Sequence, residues 1–328
     1  MTGYDGTAVL EPPESLRWDF GGRPYGLEPL TLPADPLAAR TRPLPGLPRS
    51  LAAARTALAS RPAGLDRPDP VDELFWFRWI TGHQVTFILW QLLARTAAEL
   101  AADPGTGSPV RSGPTAPAVA PAVAPAVAPA VRATRMVRGY SAMLLYTGSC
   151  PRELYHRMIR PSMARQHPAF SGTWARDHGP VRTLLRGRVP AGSGPATSAE
   201  LAAECTLNAE IHQGIADKLV PGAPSLLQAS RARQRQPPGQ REVLAVLYDT
   251  YFLTLRAPLP VPAVLLQLAR RVHAIGRDLA ANGLYPDYAS SRAEKPWGLQ
   301  RTEVDEYERA VPAILAELAD DEIGRSMA

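Results

Sequence analysis

The stretch Leu74–Ala94, LFWFRWITGHQVTFILWQLLA, decides the fold. It is apolar at most positions, contains no proline and is too long for a strand, so it reads as a helix. Its length would suit a bilayer, yet it carries Arg78, His83, Gln84 and Gln91. An arginine alone costs about 2.5–3.5 kcal/mol at a bilayer centre. No basic flank supplies a positive-inside signal. The stretch is therefore expected to be the central buried helix of a soluble protein, with no membrane partner. Working outward, Pro70 suits a first helical turn, Asp72 and Glu73 favour its positive end, and Asp103-Pro104-Gly105 stops it, which gives a helix over 70–102.

Beyond it, helical patterns are expected over Ser50–Ser60, Ala133–Tyr146, Cys150 to about Arg165, near 174–187, from Thr197/Ser198 to Val220, and over 240–256, 262–282 and 303–319. Few segments alternate with period two, so the fold class is all-α, a helical bundle. Residues 1–48 are rich in proline and hold the aromatic cluster WDFGGRPYGLEP (18–29), which predicts an extended arm packed on the body. Residues 49–328 are expected to form one domain. Within it, 104–131 carries the repeat TAPAVAPAVAPAVAPAV; proline at every fourth position forbids helix and sheet ladders, so this is a flexible insertion.

Composition narrows the function. The chain has 328 residues, 36 Lys+Arg against 31 Asp+Glu, and two cysteines. Two cysteines exclude a disulfide-stapled scaffold and a Cys-rich metal module, and Cys150 and Cys205 read as reduced thiols. A net charge of +5, nearly all arginine, gives no reason to expect a nucleic-acid partner. The N-terminus has neither the basic nor the apolar region of a signal peptide, so a cytoplasmic location is expected. GxGxxG, P-loop, HExxH and GxSxG motifs are absent from the sequence. Dinucleotide-dependent hydride transfer, P-loop phosphoryl transfer and zinc hydrolysis have nothing to stand on.

Six histidines remain as carriers of chemistry. His83 shares a helical stripe with Trp76, Trp79, Phe87 and Trp90, which places an imidazole on the most aromatic face of the protein. His212 shares one with Leu201, Cys205, Asn208, Ile215 and Leu219. Either pattern fits a core histidine bonded to a carbonyl. Either also fits an acid/base group or an iron ligand whose apolar face packs on a flat macrocycle. His156, His167 and His178 lie among arginines or in loops and are expected to be solvated; His273 is ambiguous.

Segment 72–93, DELFWFRWITGHQVTFILWQLL, resembles the helix of tryptophan 2,3-dioxygenase that carries its distal histidine, through Asp72, Glu73, Leu74, Phe75, His83-Gln84, Leu89 and Trp90. Phe170-Ser171-Gly172 resembles part of a loop of that enzyme. Its glycine-rich loop and its late R-x-R-H helix have no counterpart, which argues against kynurenine chemistry. The chain is more similar to the haem-dependent L-tyrosine hydroxylase family of the same superfamily. That similarity lies in WDFGGRPYGLEPLTLP (18–33), the His83 helix, RPSMARQHPAFSGTWARDHGPVRTL (160–184) and AEIHQGIADKLVPGAPSLL (209–227).

The resemblance implies a tryptophan-dioxygenase-like bundle around haem b, with His212 as iron ligand and His83 as distal acid/base. It implies hydroxylation of L-tyrosine at ring C3 to 3,4-dihydroxyphenylalanine, with hydrogen peroxide or dioxygen as oxidant, in natural-product biosynthesis. Relatives act on 3-methyltyrosine. Ser171, Gly172 and Trp79 are expected at the haem. Trp76 and Phe87 are expected as walls around the substrate ring, and Arg157 or Arg160 as partner of its carboxylate. A homodimer is an open expectation. The competing expectations are a tryptophan or indole dioxygenase, a haem-binding sensor or carrier, and a colourless helical scaffold.

Overall fold

The computed structural model describes residues 18, 23–37, 46–65, 71–102, 128–189, 195–222, 226, 240–286 and 295–327. Most of the Ala-Pro insertion and parts of the arm lie outside these described residues. The elements in chain order are β1 (Leu30–Leu32), α1 (Leu47–Leu58), α2 (Val71–Ala102), α3 (Pro129–Gly148), α4 (Arg152–Leu154), a π-helical turn Tyr155–Ile159, α5 (Arg160–Gln166) and a 3-10 turn Gly172–Trp174. There follow α6 (His178–Val181), a 3-10 turn Leu184–Arg186, α7 (Pro195–Leu219), α8 (Gln240–Tyr251), β2 (Thr254–Arg256), α9 (Val261–Asn282), a 3-10 turn Trp297–Leu299 and α10 (Thr302–Met327). The class is all-α, with almost no strand among the described residues, as the patterns predict.

α2 is the central helix. It is long and apolar enough to cross a membrane, but two-thirds of its most apolar window (67%) is buried inside the fold. Three of its four polar exceptions bind other elements. Arg78 is buried and donates to Asp278 on α9 at 2.8 and 3.1 Å, to Ser149 Oγ at 3.0 Å and to the Gly283 and Leu284 carbonyls. Gln84 donates to the Glu28 and Phe252 carbonyls at 3.1 and 3.0 Å. Gln91 donates to Pro33 O and Asp177 Oδ1, both at 2.8 Å. Buried polar groups that find partners in this way fix register as well as adding energy.

Two glycines set how closely the helices pack. A Cβ on Gly82 would lie 2.4 Å from Thr147 Cγ2, and one on Gly148 would lie 2.9 Å from Ile215. Only hydrogen fits at either position, so α2 presses on α3 and α3 on α7. That packing brings one face of α2 and one face of α7 to a common space.

Four boundaries differ from the sequence patterns. α3 starts at Pro129, because a proline in the first turn loses no helical hydrogen bond. The helix expected near 174–187 is instead three short turns, the last ended by Gly187, which has φ 75°. α8 ends at Tyr251 rather than 256: Leu253 adopts φ 51°, and Thr254–Arg256 pairs in parallel with the arm, Leu30 opposite Thr254. α10 runs on to Met327, since Glu322 is buried and accepts from Arg132 of α3 at 3.2 Å.

Where it is described, the arm packs on α2 and α9. Trp18 and Tyr25 are buried, both edge-on to Phe77 of α2. Glu28 accepts from Arg270 of α9 at 2.6 Å.

Candidate active site

A cavity of about 540 Å³ lies between α2, α3, α7, the 170–186 segment and the Tyr248–Phe252 end of α8. Its walls are mostly aromatic and aliphatic, with a few polar groups converging on them, the ordinary make-up of a small-molecule site.

His83 enters from α2. Its ring stacks on Phe252 at 4.4 Å and 19°, and Trp79 flanks it at 4.4 Å. Nδ1 lies 2.6 Å from the Trp79 carbonyl one turn back. A carbonyl only accepts, so Nδ1 carries the hydrogen and Nε2 keeps its lone pair. Burial pushes the pKa of His83 down to about 4, against an opposing pull from that carbonyl. At neutral pH the ring is an uncharged base.

His212 enters from α7. Its open surface is cavity surface: protein surrounds the ring, and this burial lowers its pKa. Neither ring nitrogen has a hydrogen-bond partner among the described residues. Both imidazoles line the same cavity, and His212 adds to the lowering of the His83 pKa.

Of the other expected residues, Trp79, Ser171, Gly172 and Arg160 line the cavity. Ser171 Oγ accepts from Thr173 N at 3.2 Å, which holds the turn beside Gly172. Three residues lie elsewhere. Arg157 is on the surface, 2.6 Å from Asp72, because the intervening π-helical turn sends it to a different face from Arg160. Trp76 packs edge-on to Tyr251 at 6.0 Å. Phe87 sits one layer behind the wall, against Trp90, Tyr248 and Phe252.

The sequence reading missed three groups. His178 was expected in solvent; it is half-buried on the cavity wall, 5.1 Å from Trp90, and burial lowers its pKa. No helical period marks it, because α6 is a single turn. Phe252 and Tyr248 complete the aromatic wall from a segment whose apolar run shows no function by itself.

An all-α scaffold that holds uncharged histidines in an aromatic cavity can bind a flat apolar ligand and move a proton beside it. Residues 32–205 match the family described as SfmD 3-methyl-L-tyrosine peroxygenase. The match spans more than half of the chain, and the protein belongs to this family, which makes it an oxidoreductase of the peroxygenase kind. The match takes in His83, Ser171, Gly172 and His178 and stops short of His212, whose place rests on the geometry. No curated protein matches the chain.

Proposed function

We propose that the protein is a haem-dependent aromatic hydroxylase. It would use hydrogen peroxide to place one oxygen on the ring carbon beside the phenolic oxygen of L-tyrosine, giving 3,4-dihydroxyphenylalanine and water. The observation that carries this reading is the pair of neutral imidazoles, His83 and His212, facing one aromatic cavity.

The residues fit a histidine-ligated haem. Among the described residues no group of three His, Cys, Asp or Glu side chains could hold a bare metal ion. A macrocycle needs only one protein ligand and apolar walls, and both are here. His212, uncharged and without another hydrogen-bond partner, is the ligand of choice, and the Ser171-Gly172 turn and Trp79 would border the ring. When bound, the haem supplies the iron that cleaves the peroxide O–O bond and delivers one oxygen.

The chain's own residues position the reactants and move the proton. His83 Nε2 takes a proton from hydrogen peroxide and returns it to the departing hydroxyl, which leaves as water. Its low pKa makes the protonated ring a strong donor for that return. Phe252 and Trp79 hold the imidazole in one orientation. Arg160 is the candidate partner for the amino acid's carboxylate.

The family's description favours a second reading of the substrate, 3-methyl-L-tyrosine. The test supplies the haem-loaded protein with peroxide and L-tyrosine, 3-methyl-L-tyrosine or L-tryptophan, and reads product mass. A gain of one oxygen on L-tyrosine is expected. Turnover of the methylated substrate alone selects the second reading. Formylkynurenine from tryptophan overturns hydroxylation.

A further inference from the structure

The cavity has an end that the hydroxylation reading leaves unused. Trp90, on α2 beyond His83, closes it, and His178 lies against that indole at 5.1 Å. Arg182, just past α6, and Arg186, in the 3-10 turn that follows, line the same wall. Neither guanidinium has a hydrogen-bond or ion-pair partner among the described residues. Of the arginines nearby, Arg176 is engaged with Asp249 and Glu242, and Arg256 with Asp177 and Asp249. Asp177, the carboxylate beside His178 in sequence, is already shared between Arg256 and Gln91. Two positive charges thus stand unbalanced at the rim of an apolar cavity. Beside them is a neutral imidazole with ring nitrogens to offer. The Leu184–Arg186 turn packs on α7, the helix that carries His212, which places this end on the side of the proposed iron ligand.

We infer that His178, Arg182 and Arg186 form a carboxylate-binding site, and that its ligand is the propionate edge of the cofactor. The inference rests on the haem reading. Guanidinium is the side chain suited to a carboxylate, through two parallel N–H donors. The same chemistry would accept the carboxylate of the amino-acid substrate, so the experiment separates the two sources.

Cofactor-free wild type, Arg182→Gln, Arg186→Gln and the double variant are titrated with haemin and with haemin dimethyl ester, whose propionates are masked. Soret absorbance reports binding. The haemin-loaded proteins are then titrated with L-tyrosine and with tyramine, which lacks the carboxylate. Both arginines are exposed and unpaired, so the variants retain the fold. The expected result is about tenfold weaker haemin binding for each guanidinium removed, with the ester bound equally by all four proteins. A loss confined to L-tyrosine, with tyramine and haemin unchanged, also supports the carboxylate site and assigns it to the substrate. Equal binding of every ligand by every protein overturns the site while leaving the haem reading intact. Wild-type protein that binds neither haemin nor its ester overturns the haem reading and this inference with it.

Discussion

His83 commits its Nδ1 hydrogen to the Trp79 carbonyl and packs flat against Phe252, so replacing it by Phe keeps the shape of the helix face while removing Nε2. Fold and haem content should survive, and turnover with peroxide should fall on the order of 10²–10⁴-fold, the usual contribution of a positioned acid/base. Stability should respond to pH as well. With a folded pKa of about 4, against 6.5 in the unfolded chain, the unfolded state takes up its proton first. Above about pH 7 the ring contributes no pH dependence. As pH falls from 6.5 to 4 the cofactor-free protein should lose on the order of 3 kcal/mol relative to His83→Phe, and no more below that. Urea unfolding of both proteins at pH 7 and pH 4 measures the difference. His212→Ala should purify with little haem and a weak Soret band; full haem retention would move the ligand elsewhere. Both histidines were legible as interruptions of apolar stripes. His178 was not, because its place depends on Asp177 being held by Arg256 and Gln91, contacts between residues far apart in sequence.

Among the elements, α2 was legible almost to the residue, because its apolar run is long and its ends carry recognisable stops. β2 was not. Nothing between Tyr251 and Arg256 breaks a helix on paper; the strand exists because the arm pairs with it and Leu253 turns into the left-handed region. The crossing of α2 and α3 offers a direct test. Gly82→Ala would set a methyl 2.4 Å from Thr147 Cγ2, at a cost of about 1–3 kcal/mol as overpacking. Thr147 lines the cavity, so haem affinity should weaken too. Adding Thr147→Ser removes the clashing atom and should restore much of both, as read by thermal unfolding and haemin titration.

On the scale of the whole molecule, the docking chemistry of residues 23–37 was not legible in the sequence. Glu28 is the buried counter-charge for Arg270 and, at 3.6 Å, for Arg271, both on α9. Arg271 is so far from water that burial pulls its pKa down to about 10. Glu28→Gln takes this carboxylate away from two buried guanidiniums and should destabilise the protein by about 3–5 kcal/mol in urea unfolding. The effect should reach the site, since Gln84 ties the Glu28 carbonyl to the Phe252 carbonyl, and Phe252 is the ring on which His83 lies.

That docking also sets an order in time. α2 and α3 pack within one stretch of chain and can form early, whereas Glu28 and Arg270 stand 242 positions apart. Long-range pairings form slowly, because closing so large a loop must precede any reward from the contact. The α2–α3 pair would therefore be in place before the arm arrives, and the ring beneath His83 would be fixed only in a later step. The kinetics of assembling the pocket are then those of a three-residue strand finding its partner, not those of a local helical pair.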